Sequence, residues 1–117
     1  MNRHVERWKA AWESLDPEKV VALYAPNATH RSAVVERIYP ELGRTELRGR
    51  EEICEYARRA FTRFNAIRFD IVAVIEDVTH AAVEYRRFVN NEAASTEVLE
   101  LIEWNGDLLI ACRVFHF

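Results

Sequence analysis

Two histidines and a serine carry the side chains best suited to acid–base chemistry. His30 and Ser32 stand two residues apart in Asn27-Ala28-Thr29-His30-Arg31-Ser32, and His116 lies in the last apolar run. An imidazole titrates near neutral pH and, when positioned, contributes about 10²–10⁴-fold as a general acid or base. In an extended chain a spacing of two puts His30 and Ser32 on one face, with Thr29 and Arg31 on the other. Ser32 can hydrogen-bond a ligand oxygen or satisfy a backbone group. Tyr24, Tyr39 and Tyr56 are the phenols that could assist. Glu84 and Arg86 also stand two apart; inward they form a buried charged pair that flags function, and outward they are a solvated face. Cys112 and Val114 share a strand face with His116 and are placed with it.

The four histidines show no His-x-x-x-His spacing and the two cysteines no Cys-x-x-Cys. Zinc needs three or four convergent ligands, so no metal is expected. Three glycines make no phosphate-binding loop, and there is no Gly-x-Ser-x-Gly elbow. The expected chemistry is therefore cofactor-free. Cys54 and Cys112 sit in apolar patterns, as buried free thiols of a reducing compartment do.

These side chains need elements to hold them. Val5, Trp8, Trp12 and Leu15 repeat as one face of an amphipathic helix. Asp16-Pro17 then caps a short helix that carries Val20, Val21, Leu23 and Tyr24 inward and stops at Pro26. The extended run with His30 and Ser32 follows. The segment 33–48 has no clear period, contains the turn signal Tyr39-Pro40-Glu41-Leu42-Gly43, and reads as a long loop with a helical turn. Ile53, Tyr56, Ala57, Ala60, Phe61 and Phe64 define a third helix after Gly49. From Ile67 the period becomes two, predicting strands over 68–76, 81–89, 95–104 and 108–117, the last two joined by Asn105-Gly106. Helices first and an antiparallel meander after make an α+β domain. Trp8, Trp12, Tyr56 and Phe61 are candidates for the wall of an apolar pocket. Phe115, Phe117 and the outward residues of the third strand would leave an apolar sheet face for a homodimer to cover.

Composition narrows the classes. The 117 residues suit one domain over 1–117, and 50% hydrophobic content argues against disorder. A net charge of −3 with interleaved signs argues against nucleic-acid binding. No run is long enough to span a membrane. The polar start Asn2-Arg3-His4-Val5-Glu6 leads us to expect a cytoplasmic protein.

The order of elements, Leu23-Tyr24-Ala25-Pro26-Asn27-Ala28-Thr29, and Leu47-Arg48-Gly49-Arg50-Glu51-Glu52-Ile53 resemble the SnoaL-like polyketide cyclase family. That family belongs to the nuclear-transport-factor-like superfamily, with ketosteroid isomerases, limonene epoxide hydrolases and scytalone dehydratases. The resemblance covers essentially the whole chain. It implies a cone-shaped, cystatin-like α+β fold, with three N-terminal helices on a curved, mostly antiparallel sheet around a pocket. It also places Trp8 where the isomerases carry a tyrosine, Ser32 where they carry the catalytic carboxylate, and a residue near Glu97 at their second acid. Val114 stands where cyclases and epoxide hydrolases carry an inward aspartate. The borrowed carboxylates are thus missing, and His30 becomes the leading base, with His116 and Ser32 as auxiliaries. The expected function is binding of a small hydrophobic molecule (polyketide-, steroid- or terpenoid-like), with scope for isomerase, cyclase or dehydratase chemistry. The alternative is a non-catalytic ligand-binding or dimerisation module.

Overall fold

Helix α1 (Arg3–Glu13) begins where the Asn2 side chain accepts hydrogen bonds from the His4 and Val5 amides. It buries Val5, Trp8, Ala11 and Trp12, one stripe of a 3.6-residue period. Leu15 takes a left-handed φ of 58° and turns the chain into α2 (Pro17–Val21), capped by Asp16 through the Glu18 amide at 3.0 Å. The computed structural model describes residues 2–117.

Strand β1 (Tyr24–Arg31) starts before Pro26 rather than after it. Its register against the last strand shifts between Tyr24 and Thr29, so Pro26, which has no N–H to donate, sits in the irregular stretch between them. The segment expected to be a long loop holds α3 (Val34–Ile38), a 3₁₀ turn (Pro40–Leu42) and β2 (Glu46–Arg48). Val34, Val35 and Ile38 are buried; elements this short do not show a period. Helix α4 (Gly49–Phe61) follows. Gly49 has φ 84°, and a Cβ there would meet only the Pro26 carbonyl at 3.5 Å, so backbone conformation selects the glycine rather than space.

Strands β3 (Ile67–Glu76), β4 (His80–Val89), β5 (Thr96–Asn105) and β6 (Leu108–His116) complete the chain. The six-stranded sheet runs β2-β1-β6-β5-β4-β3. Every pairing is antiparallel except β1 with β6. The fold is α+β, with four α-helices where the pattern showed three. Helices α1 and α4 cover the inner face: Trp8 packs on Phe69 and Tyr85, and Trp12 and Tyr56 pack on His30. The other face leaves Ile75, Phe115 and Phe117 exposed. Among the described residues, no helix is long and apolar enough to cross a membrane.

Candidate functional site

Sheet register stacks the inward side chains in rows. His30 pairs with Cys112, which pairs with Ile102. One row on, Val114 pairs with Glu100, which pairs with Val83. The next holds His116, Val98 and Tyr85, and beyond it Arg87 faces Thr96. Each row is two residues, about 7 Å, from the last.

Between these rows and the helices lies a cavity of about 270 Å³, lined by His30, Ser32, Trp12, Tyr56, Phe61, Val114 and His116 among others. That volume suits a molecule of one or two rings. The two histidines share the cavity, yet their rows are two apart, about 13 Å along the strands, so they do not act on one atom. Ser32 lines the cavity, while its hydroxyl accepts the Val34 N–H at 3.1 Å and starts α3.

Other expected positions are corrected. Glu84 and Arg86 are exposed and point to the outer face, because the alternation of β4 turns Tyr85 and Arg87 inward instead. Tyr39 lies outside the cavity, under the Arg59 guanidinium at 4.1 Å. Trp8, Tyr24 and Cys112 are fully buried behind the cavity wall rather than on it. The outward residue Glu97 is exposed.

The carboxylate of the site is Glu100, 3% exposed and lining the cavity. Trp8 Nε1 donates to its Oε2 at 3.0 Å and the Tyr85 hydroxyl to its Oε1 at 2.8 Å. Burial pushes its pKa up to about 7, a rise restrained by the Tyr85 and Trp8 hydrogen bonds and by the Arg87 charge. The neighbouring phenols stay protonated: burial pushes Tyr56 up to about 12 and Tyr85 higher still. Burial pushes His30 down to about 4, so it is neutral at pH 7. His116 is also lowered, by burial and then by Arg87 and Arg37.

Sequence reasoning missed Glu100. The signal was present: Val98, Glu100, Ile102 and Trp104 alternate, so an acid stands in an apolar row. The resemblance pointed three residues earlier, and an odd offset in a strand changes the face.

Ligand atoms of His30, Glu100 and Cys112 lie within 4.8 Å of one another. Nitrogen, carboxylate and thiolate are zinc donors. Each is already engaged, however. The Tyr24 hydroxyl lies 3.3 Å from His30 Nδ1 and 3.6 Å from Cys112 Sγ, and both Glu100 oxygens hold protons from their neighbours. The cluster is thus two buried hydrogen-bonded groups side by side, Tyr24 with His30 and Cys112, and Glu100 with Trp8 and Tyr85.

A SnoaL-like domain profile matches residues 5–111. The chain belongs to the SnoaL-like domain family. A SnoaL-like protein of unknown function from Burkholderia thailandensis is 23% identical, with a TM-score of 0.79 over 96% of this chain and 89% of that one. A Catenulispora acidiphila protein with a ketosteroid isomerase-like fold, solved with trimethylamine, is 17% identical at TM-score 0.77, covering 98% and 85%. A candidate polyketide cyclase from Sinorhizobium meliloti is 10% identical at TM-score 0.77, covering 98% and 95%. At these identities the likeness is one of fold, and chemistry has to be read from the SnoaL-like pocket itself. No curated protein matches this sequence significantly.

Proposed function

We propose that this SnoaL-like domain binds a small, largely apolar molecule and moves a proton on it without a cofactor, as an isomerase, cyclase or dehydratase acting in the cytoplasm. Glu100 is the proton-transferring group. The observation that carries this is a buried carboxyl, held by Trp8 and Tyr85, that faces an apolar cavity. A base whose pKa lies near the working pH is best suited to abstract a proton next to a carbonyl. His30 moves from leading base to neighbour, because burial lowers its pKa to about 4 and leaves it the weaker base.

The test uses 2-tetralone, a neutral two-ring ketone, in D2O. The protein is expected to bind it and to accelerate exchange of its α-protons, followed by proton NMR. Exchange no faster than in buffer, with binding intact, would sink the catalytic reading and leave a ligand-binding module.

The outer sheet face supports a homodimer. Leu99 on β5 pairs with Phe115 on β6, and Ile75 and Phe117 are 76% and 80% exposed, apolar side chains set among the outward Glu84, Arg86 and Glu97 that a second copy would cover. Sedimentation equilibrium should give a dimer, and Phe115→Glu should give a folded monomer; a monomeric parent would end the idea.

A further inference from the structure

The cavity has poles of opposite character. Its deep end holds the Glu100 carboxyl. Towards its other end Arg37 on α3 and Arg87 on β4 lie about His116, and Arg63 just after α4 also lines the cavity. Elsewhere Arg44, Arg58, Arg59 and Arg68 pair with acids at 2.6–2.8 Å. Among the described residues, no carboxylate lies within 4.0 Å of Arg37, Arg63 or Arg87. The chain's net charge is −3, so three arginines lining one cavity are a local concentration of positive charge.

One further polar atom at that end lacks a partner: His116 Nε2 is buried and makes no hydrogen bond, and His116 lines the cavity. A buried polar group left unpaired is destabilising; a ligand group that hydrogen-bonds it would remove that cost. The Arg87 and Arg37 charges add to burial in lowering His116 and restrain the rise that burial imposes on Tyr56, so their charge falls inside the cavity as well as on its rim.

We infer that the ligand of this pocket is an apolar molecule bearing one anionic oxygen group, most simply a carboxylate, held at the arginine end while its body reaches towards Glu100. This rests on the pocket reading above and adds the substrate class. Register sets the length. His116 and Arg87 stand one and two rows from Glu100, about 7 and 13 Å along the strands. An arginine side chain can turn back over part of that distance, so one ring with a short chain spans the poles. Guanidinium groups meet a carboxylate through two parallel N–H···O bonds. A second carboxylate near Glu100 would disfavour ionisation of both, which orients the ligand acid-end outward.

Isothermal titration with 4-phenylbutanoate and 4-phenylbutan-1-ol separates this inference from the reading beneath it. The two differ only at the charged group. At 50 mM salt the acid is expected to bind at least tenfold tighter than the alcohol. That advantage should shrink at 500 mM salt, since exposed charges are then screened. Arg37→Gln and the double variant Arg37→Gln/Arg87→Gln should bring the acid progressively down to the alcohol's affinity. Arg37 is exposed, so the single variant reports even where the double one fails to fold. Equal binding of acid and alcohol by the parent would overturn the inference and leave the apolar-pocket reading standing. An advantage that survives both salt and substitution would overturn it too. Binding of neither probe would overturn both.

Discussion

Glu100→Gln is expected to lower the α-proton exchange of 2-tetralone by about 10²–10⁴-fold, the usual contribution of a positioned general base. In free energy that is about 3–5 kcal/mol of lost transition-state stabilisation. The substitution preserves shape. An amide oxygen can accept the Trp8 N–H as the carboxylate does, and the Tyr85 hydroxyl can turn to accept from the amide nitrogen. What disappears is the ability to take a proton. The parent's exchange rate should therefore rise with pH through about 7, the value to which burial raises Glu100, and then level off. Tyr85→Phe supplies an independent check. Its hydroxyl donates to Glu100 and favours the ionised form, so removing it should move the midpoint to higher pH. A flat pH profile, or a Glu100→Gln protein that exchanges as fast as the parent, would remove Glu100 from the reaction.

The sequence made much of this architecture legible, and the reason differs from element to element. Helices α1 and α4 and strands β3 to β6 are long enough for their periods to show, and Asn105-Gly106 marks a turn that sequence alone can place. The segment 33–48 was opaque because its structure is tertiary. Ser32 donates its N–H to the Thr45 carbonyl, and β2 exists only because β1 lies beside it. Tyr24 joined the strand rather than the helix because its amide register follows Leu109 on β6, a contact 85 residues away in sequence. In the site, His30, Ser32 and His116 were legible from alternation together with the family resemblance. Glu100 was hidden by a borrowed register that pointed at Glu97. The arginines were hidden for another reason: Arg37, Arg63 and Arg87 come from a short helix, a helix end and a strand, and only the folded chain brings them to one wall.

The same network should leave a mark on stability that needs no substrate. Burial raises Glu100 from 4.5 to about 7 and lowers His30 from 6.5 to about 4, each displacement worth about 3 kcal/mol. The raised carboxyl stabilises the fold fully below pH 4.5, and that contribution is lost as pH rises through 7. The lowered imidazole does the reverse: its contribution is complete above 6.5 and is lost as pH falls through 4. Between pH 4.5 and 6.5 the unfolded chain carries one proton on this pair, on the histidine. The folded chain also carries one, on the glutamate. Folding moves the proton without taking one up, so the two slopes cancel in the parent. Removing either partner unmasks the other. Relative to the parent, Glu100→Gln should gain about 3 kcal/mol of stability between pH 4.5 and 7, the window over which Glu100 loses its contribution in the parent. His30→Gln should lose about as much relative to the parent between pH 4 and 6.5, the window over which His30 gains its contribution in the parent. Urea unfolding across this range measures both, and taking differences from the parent removes the carboxylates common to all three proteins. Opposite slopes establish that folding raises Glu100 and lowers His30. Parallel curves would mean that His30 and Glu100 titrate in the folded chain as they do in the unfolded one, and that the cavity floor is far wetter than its packing implies.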